Sequence, residues 1–389
     1  LHFSTHILPL LLLAGITWAN DLALPRIELA RDSSAAFALN FSPSPEPVVA
    51  FQFEIEYDPQ ALQLFATVGD AARLAGKALY SAPVSATRTR FIVSGWNQTP
   101  IQAGALVQFV AGTTATAALG EVAVNVVNLA ATFPNGTSAP VFATGGSVAV
   151  IAGTAQRLSD AGVLSAASLI AGPLAPGEIA TLLGPGIGPA VGTTPGTASS
   201  APILGGTSVW FDGVQAPLLY AGPTQINVVV PFGLEGDETE LVIRKDGEIA
   251  ANLTVPLTGA APALFTVGSS GAGPAAILNE DATVNSATNP ARPGQVVSLF
   301  ATGAGAMDPP AADGSTNRGA EQHPVFPVSV RIGGQDAEVL YAGAAPGLIA
   351  GTLQVNCRVP EDVVAGPAVE IVLTVGSVPS PAGTTLSVE

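Results

Sequence analysis

The 389-residue chain carries 29 acidic and 13 basic side chains, a net charge of −16, with only 11% charged residues and abundant Gly (43) and Pro (33). Its only lysines, Lys77 and Lys245, leave no clustered basic patch for a phosphate backbone, which excludes nucleic acid as a partner. After residue 20 no run of about 18 apolar residues lacks Gly, Thr, Asn or a charge, so the mature chain has no helical membrane span, and a lone Cys357 rules out an intrachain disulfide framework.

In chain order, the opening LHFSTHILPLLLLAGITWAN holds an apolar run from Ile7 to Ile16 followed by Thr17-Trp18-Ala19. That is the pattern of a secretory signal peptide cleaved after Ala19, so the mature protein is expected to be secreted or at the cell surface. From Val49, VAFQFEIEYDP alternates Phe51, Phe53, Ile55 and Tyr57 with Gln52, Glu54, Glu56 and Asp58, the period of a half-buried strand. GDAARLAGKALYS reads as a helical turn or loop. RTRFIVSGW, GEVAVNVVNLAATF and GGSVAVI supply further strands, so residues 22–151 make one β-sandwich of ordinary size. The Gly-, Ser- and Ala-rich AGTAQRLSDAGVLSAASLIAG then separates that sandwich from the C-terminal part of the chain.

The remainder is written twice. LAPGEIATLLGPGIGP matches ARPGQVVSLFATGAGAMDP, with Pro176-Gly177 on Pro293-Gly294 at an offset of 117. VWFDGVQAPLLYAG matches VRIGGQDAEVLYAG at an offset of 121. LLYAGPTQINVVVP returns as VLYAGAAPGLIAGTLQVNCRVP, where Gln225 and Asn227 fall on Gln354 and Asn356 at an offset of 129. The eight residues gained inside the phrase belong in a loop between strands. Residues 155–260 and 261–389 therefore read as two immunoglobulin-like repeats, and the whole chain as all-β, three tandem β-sandwiches. Ile226, Val228 and Val230 face inward with Val355, Cys357 and Val359 as counterparts, which makes Cys357 a buried, inert thiol. Gln225 and Asn227 face the other way and are expected to bond loop backbone.

These repeated segments, with AAILNEDATVNSATNPARPGQVVSLFATGAGA, resemble an uncharacterised C-terminal domain family common in secreted acidobacterial proteins, over about residues 155 to 389. Its strands are similar to immunoglobulin-like sandwiches of the IPT/TIG kind. The resemblance implies export and architecture, and no chemistry. Residues 22–151 resemble cohesin modules through AFQFEIEYDPQALQL, GALVQFVAG and GGSVAV. That resemblance implies a module that binds a dockerin, and related folds bind carbohydrate. Calcium belongs to the dockerin side, so no cofactor and no metal site is implied for this chain.

Chemistry-bearing residues are sparse. Of His2, His6 and His323, two lie in the signal-peptide stretch, too few for a histidine zinc site, and no G-x-S-x-G elbow accompanies His323. GPGIGP and ATGAGAMD lack the dinucleotide spacing and a Walker lysine and read as turns. NEDATVN, Asn279 to Asn285, lacks the Gly and Glu of a calcium loop and reads as a hairpin turn. Glu54 and Glu56 share one strand face roughly 7 Å apart, which alone does not make a glycosidase pair. No catalytic residue is assigned. Trp210 alternates with inward Val209 and Phe211 and has Arg331 as its counterpart, the mark of a surface position. Trp210 and Trp96, in SGWNQTP, are the candidate binding residues, suited to stack on a sugar ring or anchor a protein interface. For Trp210, packing against a neighbouring sandwich is an equal alternative. Tyr220 and Tyr341, present in both copies, read as structural. The expected function is an exported, non-catalytic binding protein whose first module engages a protein, dockerin-like or of the envelope, or a polysaccharide, with the repeats as spacers. The alternative is a structural envelope or matrix protein without a soluble ligand.

Overall fold

The structure, a computed structural model, describes residues 20–389 apart from Ala198 and Ala320. The signal-peptide reading of residues 1–19, with His2 and His6, lies outside the described residues. Nearly every described element is a strand, and the strands enclose three separate hydrophobic cores, so the fold is all-β. Among the described residues no helix is long and apolar enough to cross a membrane.

The first core lies between two sheets. One orders its strands Val141–Thr144, Asn20–Ala23, Ser34–Ser42, Gly104–Thr113 and Leu62–Val68. The other runs Arg26–Ala30, Gly146–Ile151, Gly120–Thr132, Ala50–Glu56, Arg88–Ser94 and Ala78–Pro83. Phe51, Phe53 and Ile55 project between them, as their alternation requires, into a mostly aliphatic core that also holds Phe37, Phe41, Phe91 and Phe109. There Phe53 stacks on Phe91 at 5.6 Å and Phe41 meets Phe51 edge-on at 4.9 Å. GDAARLAGKALYS folds as a short helix, Asp70–Leu74, and the edge strand Ala78–Pro83.

In the first repeat, Val163–Ser165, Ile179–Leu183, Gln225–Val229 and Leu218–Ala221 form one sheet, and Val214–Ala216, Thr207–Phe211, Glu238–Lys245 and Glu248–Pro256 the other. In the second repeat the corresponding strands join into one folded sheet, because Gln335–Ala344 runs unbroken where Pro217 interrupts its counterpart. Proline has no N–H for the ladder, so the first copy stops at Ala216 and restarts at Leu218. The repeated phrase keeps even its irregularity, a bulge before Tyr220 and before Tyr341, which then pair with Asn227 and Asn356. Val228 and Cys357, with their flanking Ile226, Val230, Val355 and Val359, are fully buried. Gln225 and Asn227, however, do not reach for loop backbone. Gln225 Nε2 donates to Asn227 Oδ1 at 2.9 Å, and Gln354 repeats the bond to Asn356 at 2.9 Å. Residues two apart on one strand face lie close enough to satisfy each other, while the nearby backbone is already committed to the ladder.

The Gly-, Ser- and Ala-rich passage is no free linker. Leu158 and Val163 are buried in the first repeat's core, and Ser34 N–H donates to Gln156 O at 2.9 Å. Arg157 bonds Asp32 at 2.7 Å, and Val110 of the first sandwich packs with Leu164 and Leu183 of the repeat. The second repeat touches both partners. Ala272 enters the first core, and Arg73 Nη1 donates to Ala382 O at 3.1 Å. Thr302 Oγ1 accepts the Ile179 N–H at 2.8 Å and donates to Gly351 O at 2.8 Å.

Candidate binding face

Side chains that alternate with Phe51, Phe53 and Ile55 point away from the core, and the neighbouring strands extend that outer surface rung by rung. Tyr80, Ile92, Gln52 and Ala130 stand side by side on four adjacent strands, all exposed. At roughly 4.8 Å per strand the row is about 14 Å long. Tyr80 is 46% exposed and Ile92 39%, an aromatic and a β-branched side chain left uncovered beside one another.

The next rung is charged and self-contained. Glu54 faces outward yet is buried, because its neighbours roof it: Arg90 Nη2 donates at 2.6 Å, Asn128 Nδ2 at 2.7 Å and Arg88 Nη1 at 3.4 Å. Asn128 reaches the carboxylate from a bulge in the facing strand, with φ of 51°, a left-handed conformation that asparagine tolerates. The hydrogen bonds from Arg90 and Asn128 hold Glu54 below the ordinary carboxylate range, against the opposing effect of burial. Glu56 lies 3.6 Å from Arg88. A carboxylate so firmly ionised is a poor proton donor to a leaving group, so Glu54 and Glu56 form a fixed, charge-balanced patch.

Trp96 is 64% exposed on the loop that follows Arg88–Ser94. That loop is anchored from below. Fully buried Lys77 donates from Nζ to Asn97 O at 2.8 Å and to Asn97 Oδ1 at 2.6 Å. Asn97 Nδ2 donates to Gly76 O at 3.2 Å, and Thr99 N–H donates to Asn97 Oδ1 at 3.1 Å. Burial brings the Lys77 ammonium down to about 8. Trp96 is therefore an exposed ring on a well-tied base, next to the start of the edge strand, where Ala78 pairs with Ser94.

Trp210 lies on the first repeat, half-buried, its indole N–H donating to Ser208 Oγ at 3.0 Å. Arg331, at the corresponding place, is exposed, whereas the tryptophan is half-buried. The two tryptophans belong to different sandwiches and build no common site. His323 is exposed, with Nδ1 2.7 Å from Ala342 O and its ring edge-on to Tyr341. Burial pushes the Cys357 thiol up to about 12, which leaves it unreactive. In the Asn279–Asn285 turn, Thr283 directs its N–H and its hydroxyl to Asp281 Oδ1 at 3.0 and 2.6 Å. The roof over Glu54 and the Lys77 anchor escape sequence reasoning. The available signal for the anchor is that one of only two lysines stands in the apolar context AGKAL.

No family model matches the chain, and no curated protein matches it. Solved cohesin structures are similar to about a third of it. They include the seventh ScaB type I cohesin of Pseudobacteroides cellulosolvens, at 17% identity and a TM-score of 0.32, covering 35% of this chain and 94% of that one. The non-cellulosomal cohesin of the hyperthermophilic archaeon Archaeoglobus fulgidus matches at 12% identity and 0.30, covering 34% and 92%. CaCohA2 of Clostridium acetobutylicum matches at 14% identity and 0.31, covering 34% and 92%.

Proposed function

We propose that the chain is an exported protein-binding protein whose recognition surface is the outer face of the sheet containing Ala50–Glu56, with the repeats packed behind it as its support. The observation that carries this reading is the exposed row Tyr80, Ile92, Gln52 and Ala130 lying against the pre-paired Glu54, Arg88 and Arg90. Such a face supplies aromatic and aliphatic anchors. Its charges are already fixed, so little side-chain freedom is lost on docking. Trp96, on its tied loop, adds an anchor at the sheet end. Support for a protein partner of dockerin-like kind comes from the resemblance of residues 22–151 to cohesin modules. Export is supported by the signal-peptide pattern and by the resemblance of the repeats to secreted proteins.

The test is capture of secreted and envelope proteins by residues 20–389, with and without calcium, using the wild-type chain and the variants Ile92→Lys and Tyr80→Ala. The whole described chain is needed because Ala272 of the second repeat completes the first core. A specific partner should be lost at least tenfold from both variants, about 1.4 kcal/mol or more, with Tm unchanged. Equal retention by wild type and variants would refute the assigned face. Self-association with no captured partner would favour the structural envelope reading.

A further inference from the structure

A cleft of about 180 Å³ opens where the two repeats meet. Its polar lining is Glu178, Ser165 and Ser168, and prolines 173, 262 and 379 supply much of the rest. Among the described residues lining it, Glu178 is the only titratable one.

The second repeat serves as a control for this site. Glu178 corresponds to Gln295 at the offset of 117, and the strand pairings of Val163 with Leu182 and Ile277 with Leu299 put Ser165 level with Asn279. The local turn asks for one acceptor oxygen only: Glu178 Oε2 accepts the Ala175 N–H at 2.9 Å, and Gln295 Oε1 accepts the Arg292 N–H at 2.9 Å. An amide therefore satisfies the backbone. Asn279 is also satisfied, donating to Asn289 O at 3.0 Å and accepting from Asn285 Nδ2 at 3.0 Å. The first repeat departs on both counts. It places an acid where an amide folds, only 1% exposed and with no cation among the described residues that line the cleft, and its buried Ser165 Oγ lies near that carboxyl without a hydrogen bond of ordinary geometry. Both residues line one cleft.

We propose that this cleft binds a primary alkylammonium group, its head on Glu178 and Ser165 and its methylene stem along the prolines. A neutral hydrogen-bonding ligand would be served as well by glutamine, whereas only a carboxyl can gain a charge to match the ligand. A divalent cation is a poor fit, since one carboxylate and two hydroxyls fall short of the six or more oxygens that calcium takes. Apolar walls around a single charge-bearing group suit an alkyl stem. The net charge of −16 raises the local concentration of cations. Burial pushes Glu178 up to about 8, against smaller pulls from the Ala175 N–H and the nearby Ser165 hydroxyl. The ammonium thus meets a protonated acid at neutral pH, and the carboxyl proton leaves to solvent as the ion pair forms.

The group has two sources, a free small amine or a lysine side chain of another protein. The experiment is calorimetric titration of residues 20–389 with n-butylamine, with cadaverine and with Nα-acetyl-lysine N-methylamide, in buffers of different ionisation enthalpy. Saturable binding is expected, with proton release at about pH 7 and an affinity that rises about tenfold per pH unit towards 8. Glu178→Gln, the residue the second repeat already uses, should abolish binding without lowering Tm, and Ser165→Ala should weaken it several-fold. Preference for the free amines assigns a small-molecule ligand, and preference for the lysine amide assigns a protein side chain. No saturable heat from any of the three up to about 10 mM, or unchanged binding by Glu178→Gln, overturns the proposal.

Discussion

Glu178 and Gln295 occupy the same turn of the two repeats and accept the same backbone N–H three residues back, yet one is buried beside the cleft between the repeats and the other half-buried. Pro217 and Glu338 make a second such pair. The proline splits a strand that the glutamate continues, and Glu338 adds an ion pair to Arg358 at 2.9 Å. A duplicated domain thus separates what the backbone requires from what one copy adds. The shared bulge, the Gln–Asn bond and the buried valine or cysteine are requirements, since both copies keep them. The acid at 178 and the serine at 165 are additions.

Exchanging the two residues breaks the comparison most strongly. The Glu178 pKa, about 8 in the folded chain against an ordinary 4.5, means that the folded state holds a proton the unfolded state has released between those values. Stability therefore falls as pH rises through that window, by about 1.4 kcal/mol for each unit of pKa difference. Glu178→Gln should remove that slope and raise stability at pH 8 by several kcal/mol, read from urea unfolding at about pH 5 and about pH 8. Gln295→Glu, at its half-buried site, should change little. The shared core position comes next. Val228→Ala should cost about 2–3 kcal/mol, from two buried carbons and the space they leave. Cys357→Val, which writes the first copy's residue into the second, should cost under about 1.5 kcal/mol. The smallest effect separates the two Gln–Asn pairs. Asn227 Oδ1 also accepts the Thr181 hydroxyl at 3.2 Å, so Asn227→Ala should cost about 1 kcal/mol more than Asn356→Ala in thermal unfolding.

Much of this architecture was legible in the sequence. The period of two in Phe51, Phe53 and Ile55 locates the first core, and the offsets of 117, 121 and 129 reveal the duplication and the strand–loop–strand character of the repeated phrase. What stayed hidden depends on residues far apart in the chain. Glu54 reads as a solvated outward residue until Arg88, Arg90 and Asn128, which lie 34 to 74 positions away, close over it. The Gly-, Ser- and Ala-rich passage reads as a linker because its composition is that of a linker. It is instead tied down on both sides, by burial of Leu158 and Val163 in the first repeat and by the Ser34 N–H bond to Gln156 O. Glu178 looks like any glutamate after a Pro-Gly turn until Val378 and Pro379 of the second repeat come to line the same cleft.

The central claim, that recognition resides on one sheet face of the first sandwich, is tested most directly by hydrogen–deuterium exchange on residues 20–389 with and without a captured partner. Slowed exchange confined to Ala50–Glu56, Ala78–Pro83, Arg88–Ser94, the Trp96 loop and Gly120–Thr132 is the predicted result. Protection on the repeats alone, with that face exchanging as in the free chain, would contradict it.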